Sequence, residues 1–265
     1  MKQIALFMVV LTMAFKPSFA QMKTKIGTNW NKNQVIAHRG AWKAKGLPEN
    51  SIASLKEAIR IGCYGAEFDV HATKDGVLVV NHDADFLGLP IEKSSYQELL
   101  EKKMSNGESI PTLEKYLKTG LKQKGTKLIL EIKISQAGTE ADLVLAEQTV
   151  AMVKRLKAEA WVDYISFSYP ILKRILTLQP DARVAYLKGD ETPEKMKEDH
   201  FYGIDYSYHI YKKGEWFAKA KALGLTMNAW TVNDEATMNW LLDNQVDFIT
   251  TNEPELLFQV LESRK

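Results

Sequence analysis

Two histidines and three carboxylates in the first half of the chain have the residue types and the spacing of one metal-assisted active site. They are His38, Glu67, Asp69, His82 and Glu131. Each lies at or just after the end of a short apolar segment that is typical of a β-strand. Carboxylates suit a hard divalent cation, and histidines transfer protons near neutral pH. The set therefore indicates chemistry that combines a cation with acid–base catalysis.

The three carboxylates are the candidate cation ligands. Glu67, Asp69 and His71 alternate along one strand, so their side chains point to the same side of it. Glu131, at the end of a neighbouring strand, completes a set of three. Oxygen ligands favour Ca²⁺ or Mg²⁺, with Mn²⁺ as a third candidate, and disfavour zinc. A single buried acid is explained as readily by an Arg or Lys partner, but three at adjoining strand ends favour a cation.

Two basic residues accompany this set. Lys133 lies two positions after Glu131 and faces the same way, and Arg39 follows His38. A Lys and an Arg beside a divalent cation suit a phosphoryl group, whose oxygens need positive partners. The same residues could simply neutralise the acids, and the two interpretations are compatible.

The histidines differ in what their positions indicate. His38 and His82 follow different strands, so they can stand on opposite sides of a phosphodiester, one removing a proton and the other supplying one. A strand-end histidine can also be a structural hydrogen-bonding residue, and we assign that role to His71. We expect His200 on the surface, and His209 is a candidate for the pocket lining because it follows an aromatic segment.

Eight strand patterns alternate with helical patterns along the chain. The predicted strands are residues 35–38, 66–70, 127–132, 162–167, 182–187, 203–206, 225–230 and 246–250. The predicted helices that follow them are residues 51–61, 139–158, 170–178, 192–199, 213–223, 233–242 and 254–262, with a further helix at 112–121 before the third strand. This alternation predicts an α/β fold, the (β/α)8 or TIM barrel, in which the carboxyl ends of the strands meet in one pocket.

The pattern is interrupted once, between the second and third strands. Residues 73–76 read as a turn, residues 77–81 as the return of a hairpin, and residues near 96–102 as an extra helix. We interpret residues 84–110 as a small insertion over the barrel mouth that is too short to have a core of its own. Residues 21–265 are then one domain.

The first twenty residues differ from the rest. A basic Lys2, an apolar run and the small residues Ser18 and Ala20 predict a cleaved secretory signal, hence a periplasmic or secreted protein. An uncleaved membrane anchor is the alternative, but the apolar run is shorter than the roughly 20 residues that span a bilayer. Without residues 1–20 the chain has 33 basic and 33 acidic residues, which argues against binding to nucleic acid. The single Cys63 excludes an internal disulfide, and we expect it to be buried.

The chain resembles the glycerophosphodiester phosphodiesterases. The motifs that carry the resemblance are His38-Arg39-Gly40, Pro48-Glu49-Asn50-Ser51, Glu67-x-Asp69-x-His71, Thr73-Lys74-Asp75-Gly76, His82-Asp83, Glu131-x-Lys133, Trp230-Thr231-Val232-Asn233 and the segment 247–254. The resemblance covers nearly all of residues 21–265. It implies a TIM barrel, a Ca²⁺ or Mg²⁺ site at Glu67, Asp69 and Glu131, and acid–base catalysis by His38 and His82. It also implies phosphate contacts from Arg39 and Lys133, with Trp230 along a glycerol pocket.

Two positions depart from the family pattern. The family usually has an Arg a few residues after His82-Asp83, where this chain reads Ala84-Asp85-Phe86-Leu87-Gly88, and usually has Thr-Asp where this chain has Thr251-Asn252. The predicted activity is hydrolysis of glycerophosphodiesters to sn-glycerol 3-phosphate and an alcohol. The alternatives are a lysophospholipase D or phospholipase acting on lipids, and a non-catalytic barrel that binds phosphate or glycan. No feature predicts the oligomeric state.

Overall fold

A closed barrel of eight parallel strands forms the centre of the molecule. The computed structural model describes residues 29–265, so the proposed signal sequence at residues 1–20 lies outside the described residues. The barrel strands are β1 (Val35–Ala37), β2 (Gly65–Ala72), β6 (Lys127–Ile132), β7 (Val162–Ser166), β8 (Val184–Tyr186), β9 (Gly203–Ser207), β10 (Thr226–Trp230) and β11 (Phe248–Thr251). The predicted (β/α)8 barrel is therefore confirmed.

The barrel closes because β1 pairs on both sides, with β11 and with β2, each time in parallel. The remaining strands pair in chain order around the ring. The register of β2 and β6 sets Asp69 beside Glu131. Two carboxylates from different parts of the sequence are thus adjacent on the inner wall, near the carboxyl ends of their strands.

Helices cover the outside of the barrel. They are α1 (Ile52–Arg60), α3 (Leu113–Gly120), α4 (Thr139–Arg155), α5 (Tyr169–Leu178), α6 (Pro193–Glu198), α7 (Tyr208–Tyr211), α8 (Trp216–Leu223), α9 (Glu235–Asp243) and α10 (Pro254–Ser263). Hydroxyl side chains cap several of them. Ser51 accepts from the backbone N–H of Ser54 at the start of α1, and Thr112 does the same for Lys115 in α3. The helix α7 was not predicted.

Side-chain alternation along each strand separates two kinds of interior. Outward-facing residues such as Phe68 and Val70 pack under the helices in the main core. Inward-facing residues such as Ile36, Ile129 and Ile165 form a smaller cluster inside the barrel. The polar residues of β2 occupy the inward positions above this cluster, which explains how a strand can be fully buried and still contain Glu67 and Asp69.

The insertion between β2 and β6 consists of short elements. These are β3 (Leu78–Val80), the hairpin β4 (Asp85–Phe86) and β5 (Leu89–Pro90), a 3₁₀ turn (Ile91–Lys93) and α2 (Tyr96–Leu99). β3 returns antiparallel along β2, as the predicted hairpin requires. Residues 84–110 bury their apolar side chains against Val79 of β3, in a cluster separate from the main core that consists of Val79, Phe86, Ile91, Leu99, Met104 and Ile110.

The structure also bears on the predictions for Cys63 and His200. Cys63 is buried, and burial raises the pKa of its thiol. His200 is exposed, as predicted. Within residues 29–265, no helix has the length and apolar character needed to span a bilayer.

Candidate active site

Three carboxylates meet at the upper inner wall of the barrel. Ligand atoms of Glu67, Asp69 and Glu131 all lie within 4.8 Å of one another. All three residues are buried, with 8% of Glu131 exposed and less of the other two. The alternation along β2 directs Glu67 and Asp69 inward, and the pairing of β2 with β6 adds Glu131. The cluster that the sequence predicts is therefore present as a compact group of oxygen ligands.

Burial and mutual repulsion disturb the protonation of this group. Burial, then the charges of Asp69 and Glu131, raises the pKa of Glu67 well above its usual range. Burial and the charge of Asp69 also raise the pKa of Glu131. Burial alone would raise the pKa of Asp69, but Lys133, His82 and the amide of Asn50 hold it below its ordinary value. The group therefore has more negative charge than its protein neighbours balance.

The hydrogen bonds of the cluster leave one oxygen free. The backbone N–H of Arg39 donates to Oε2 of Glu67 at 2.8 Å, and Nδ2 of Asn50 donates to Oδ2 of Asp69 at 2.8 Å. Oε1 of Glu67 is buried and has no hydrogen-bond partner. A buried carboxylate oxygen without a partner is costly unless a cation or a proton satisfies it. The donor set and this free oxygen fit a hard divalent cation.

The two basic residues lie against the carboxylates. Nζ of Lys133 is 2.8 Å from Oε1 of Glu131 and 3.2 Å from Oδ1 of Asp69. Burial opposes the charge of Lys133, yet Asp69 and Glu131 raise its pKa overall. Nη1 of Arg39 pairs with Glu49 at 2.8 Å, while its buried Nε lies 4.0 Å from Oδ2 of Asp69 and makes no hydrogen bond among residues 29–265. The side chains of Lys133 and Arg39 both neutralise nearby carboxylates and also line the cavity.

His38 enters the site from the end of β1 with its ring orientation fixed. Its Nδ1 is 2.7 Å from Oδ1 of Asn252, and its Nε2 is 3.9 Å from Oε2 of Glu67. Burial, then the charge of Arg39, lowers the pKa of His38 to about 4. The imidazole is therefore neutral at physiological pH. Because the amide oxygen of Asn252 only accepts, Nδ1 carries the proton and Nε2 keeps its lone pair.

His82 lies just after β3 and has a different partner. Its Nδ1 is 2.8 Å from Oδ1 of Asp83, a largely exposed carboxylate. Nε2 of His71 lies 3.2 Å from the backbone oxygen of His82, which agrees with a hydrogen-bonding role for His71. Burial lowers the pKa of His71. One candidate histidine is thus held by an amide and the other by a carboxylate.

These groups surround a cavity of about 130 Å³ with two unlike sides. One side contains the predicted residues His38, Arg39, Glu67, His82, Glu131 and Lys133. The opposite side contains Ile165, Phe167, Leu187, Asp205, Trp230 and Thr250. Among the predicted cation ligands, Asp69 does not line the cavity and is fully buried, with Asn50 and Lys133 as its partners.

Trp230 forms part of the less polar side. Its Nε1 donates to the backbone oxygen of Asp205 at 2.8 Å, and its ring meets Phe167 edge-on at 5.5 Å between centroids. The sequence pointed to Trp230 but missed Phe167, Leu187 and Asp205. Each of these three residues lies at an inward position at or near the end of a predicted strand, and that position could have identified it. None of them belongs to a chemical motif.

One expectation about the pocket lining fails. His209 is exposed and its ring lies tilted against that of Tyr208, with 4.0 Å between ring centroids, and it does not border the cavity. The short helix α7 begins directly after β9 and carries His209 to the surface. In the described part of the chain, none of residues 84–110 lines the cavity either. The insertion instead contacts the rim, where Oε1 of Glu92 accepts from the backbone N–H of Gln136 at 3.2 Å.

Solved structures with the same fold share this architecture over nearly their whole length. A glycerophosphodiester phosphodiesterase from Parabacteroides distasonis ATCC 8503 is 45% identical with a TM-score of 0.84, covering 89% of this chain and 99% of that one. An Oleispira antarctica phosphodiesterase, solved in complex with the product sn-glycerol-3-phosphate, is 25% identical with a TM-score of 0.74. That match covers 87% of this chain and 97% of the other.

Sequence comparison agrees with the structural likeness. A glycerophosphodiester phosphodiesterase of Caldanaerobacter subterraneus subsp. tengcongensis is 29% identical over 246 residues, which are 87% of this chain and 98% of that protein. The model of the glycerophosphoryl diester phosphodiesterase family matches residues 38–256. The chain therefore belongs to the glycerophosphoryl diester phosphodiesterase family and is a phosphoric diester hydrolase.

Proposed function

We propose that this enzyme hydrolyses glycerophosphodiesters to sn-glycerol 3-phosphate and an alcohol, with one divalent cation and two acid–base histidines. The observation that carries the proposal is the buried cluster of Glu67, Asp69 and Glu131 in the wall of a cavity that also contains His38 and His82. The relative solved with sn-glycerol-3-phosphate as its product supports the choice of substrate class.

Glu67, Asp69 and Glu131 would hold the cation. The excess of buried negative charge and the free Oε1 of Glu67 support this assignment. Three carboxylates without nitrogen or sulfur ligands favour Ca²⁺ or Mg²⁺, with Mn²⁺ as a third candidate. When bound, such an ion stabilises negative charge that develops on phosphoryl oxygens.

Lys133 and Arg39 are proposed to bind the phosphate. Nζ of Lys133 already lies between Asp69 and Glu131, so a phosphate entering the cavity meets this ammonium group beside the acids. Nε of Arg39 is buried 4.0 Å from Oδ2 of Asp69 and makes no hydrogen bond within the described part of the chain, so it can donate to an anion without breaking an existing hydrogen bond. Both residues therefore suit a group with several charged oxygens.

The partners of the histidines suggest which one is the base. His38 is neutral at physiological pH and holds its free lone pair on Nε2, so we assign it the removal of a proton from the attacking oxygen. Nδ1 of His82 is held by the Asp83 carboxylate, which leaves Nε2 available to the substrate, so we assign His82 the protonation of the leaving alkoxide. The attacking oxygen belongs either to water or to a neighbouring glycerol hydroxyl, through a cyclic phosphate.

A lipid substrate is the second candidate. It would need an apolar rim, and the sequence offered Phe86, Leu87 and Leu89 for that purpose. Phe86 is buried in the core of the insertion and Leu89 is partly buried, which leaves Leu87, 55% exposed at the tip of the β4–β5 hairpin. One leucine is a small membrane contact, so water-soluble diesters remain the favoured substrates.

We also propose export to the periplasm or the medium, on the signal-like pattern of residues 1–20. The N-terminal sequence of protein recovered from those compartments tests this point. A mature chain that begins at Gln21 is expected, and an intact N-terminus on a membrane-associated protein would contradict the proposal.

The activity itself is tested with a substrate panel. Glycerophosphocholine, -ethanolamine, -glycerol and -inositol are incubated with the enzyme after chelator treatment, and again with added Ca²⁺, Mg²⁺ or Mn²⁺. We expect release of sn-glycerol 3-phosphate that depends on the added cation. Full activity in chelator would overturn the role of the cation, and faster turnover of micellar lysolipid would favour the second candidate.

A further inference from the structure

One acid in the cavity wall has no part in the chemistry proposed above. Asp205 is an inward-facing residue of β9 on the less polar side of the cavity, among Ile165, Leu187 and Trp230. It is 2% exposed, and its Oδ1 is buried without a hydrogen-bond partner. A carboxylate in such a setting costs stability unless something satisfies it.

The polar neighbour of Asp205 is the Asn228 amide, and no cationic side chain of the described residues pairs with this acid. Asn228, on the neighbouring strand β10, uses Nδ2 to donate to Oγ1 of Thr250 at 2.8 Å, and its own Oδ1 is buried without a partner. No ion pair of Asp205 is found among residues 29–265, in contrast to Asp163 in the same barrel. Oδ1 of Asp163 lies 2.8 Å from Nζ of Lys127, and its Oδ2 lies 3.3 Å from Nη2 of Arg183.

We propose that Asp205 is a specificity-determining residue that accepts a hydrogen bond from a hydroxyl of the glycerol group. This inference rests on the proposed function, because it requires the diester to occupy the cavity. Glycerol hydroxyls are donors, and Asp205 lines the side of the cavity opposite the phosphate-binding residues, with an Oδ1 that has no hydrogen-bond partner in the described part of the chain. A substrate hydroxyl would donate the hydrogen bond that no residue among 29–265 donates to Oδ1 of Asp205.

Two further observations agree with this assignment. The backbone oxygen of Asp205 accepts from Nε1 of Trp230, so the aromatic wall and the acid are fixed relative to each other. Burial raises the pKa of Asp205 to about 7, with partial opposition from the amide of Asn228. In either protonation state the carboxyl retains an oxygen that can accept from a hydroxyl.

A buried water is the rival occupant. Asp205 also borders a second cavity of about 40 Å³ lower in the barrel, shared with Asn228, and a water there could bridge the two free oxygens. A water would satisfy Asp205 equally well whichever ligand is bound. The two explanations therefore differ in whether Asp205 discriminates between ligands.

Binding of phosphate monoesters tests the proposal more directly than turnover of diesters. A diester without glycerol hydroxyls also lacks the hydroxyl that could act as an internal nucleophile, so slow turnover of such a diester would have two explanations. Binding of sn-glycerol 3-phosphate and of n-propyl phosphate is measured by calorimetry with saturating Ca²⁺ or Mg²⁺. The two ligands share the phosphate and the three-carbon chain and differ in the two hydroxyls. We expect the wild-type enzyme to prefer glycerol phosphate by about tenfold or more. We expect D205A to lose this preference by weakening glycerol phosphate alone.

D163N is the matched control, a buried acid of the same barrel that has cationic partners. It should keep the ligand preference and lower the melting temperature, because Lys127 and Arg183 lose a charged partner. D205N, which keeps the shape and should fold if D205A does not, should reduce the preference and raise the melting temperature. A preference that is equal in the wild type and D205A, or absent from the wild type, would overturn the proposal.

Turnover separates this inference from the proposed function. If glycerophosphocholine is hydrolysed and D205A retains the full preference for glycerol phosphate, the reaction stands and the role of Asp205 is wrong. If the preference exists and D205A removes it, but no diester is hydrolysed, the hydroxyl site stands and the proposed reaction is wrong.

Discussion

Nδ1 of His38 lies 2.7 Å from Oδ1 of Asn252, so the candidate base is oriented by a neutral amide. The two residues come from opposite ends of the barrel sequence and meet because β1 pairs with β11. An amide oxygen fixes the tautomer of the ring as a carboxylate would, but it adds less stabilisation to the imidazolium form. The departure from the usual Thr-Asp of the family at Thr251-Asn252 therefore acts on the charge of His38.

Asn252→Asp should move the acid limb of the pH–rate profile to higher pH. A carboxylate at this position stabilises protonated His38 and raises its pKa from about 4. The base must be unprotonated, so less of the enzyme is active at low pH, and we expect the limb to shift upward by about one unit or more. The measurement is kcat/KM from pH 4.5 to 8 with saturating cation.

Asn252→Ala is the control for this shift. It removes the hydrogen bond without adding charge, so kcat should fall because the ring loses its fixed orientation, while the acid limb should not rise. An N252D profile that superimposes on the wild-type profile would show that His38 is not the group whose protonation limits activity at low pH.

Alanine at either candidate histidine should lower kcat by ~10²-fold or more. The two losses should depend differently on the leaving group. If His82 protonates the alkoxide, H82A should lose less on a p-nitrophenyl diester, whose leaving group needs no proton. H38A should lose a similar factor on both kinds of substrate, because the attacking oxygen still requires a base.

His209→Ala is the matched control for these variants, since His209 is exposed and does not border the cavity. It should retain wild-type kcat. Near-wild-type turnover of glycerophosphocholine by H38A or H82A would remove that histidine from the mechanism, and equal losses of H82A on both substrates would reverse the assignment of acid and base.

Cation binding should raise the melting temperature more at pH 8 than at pH 6. A cation requires ionised carboxylates, and the pKa values of Glu67 and Glu131 are raised by burial and by their neighbours. Protons therefore compete with the cation as the pH falls through these values. Thermal unfolding with and without Ca²⁺ or Mg²⁺ at both pH values measures the effect. A cation-induced shift that is the same at both would contradict the cluster as the binding site.

Glu131→Gln separates cation binding from folding. The variant should lose most of the cation-induced shift because one of three charged ligands is gone. Without cation at pH 8 it should be more stable than the wild type, since a folded-state pKa above the unfolded one makes ionisation of Glu131 oppose folding. This advantage should shrink as the pH falls toward 5, where both states are increasingly protonated.

The barrel and the cation ligands were predictable because both depend on local periodicity. Alternation along β2 alone directs Glu67 and Asp69 to one side, and eight repeats of strand and helix determine the architecture. Asp205 was missed although its inward position on a predicted strand was available from the sequence, because no chemical motif distinguishes an acid on β9 from a structural residue. His209 was misplaced because a four-residue helix directly after β9 changes the direction of the chain.

The insertion illustrates the same limit, because one of its contacts with the rest of the molecule joins residues far apart in sequence. The carboxylate of Glu108 accepts from the backbone N–H groups of Ile52 and Ala53, at 2.9 and 3.1 Å. These are the first N–H groups of α1, which have no partner within the helix. An acid from the insertion thus caps the helix that follows β1, in addition to the Ser51 hydroxyl.

Glu108→Ala should lower the free energy of unfolding by about 1 kcal/mol, the usual effect of losing a helix cap. For a domain of this size that corresponds to a fall in melting temperature of roughly 2–4 °C. Glu101→Ala, at an exposed position of the same insertion, is the control and should leave the melting temperature unchanged. Equal melting temperatures for E108A and E101A would mean that water replaces the carboxylate at no cost.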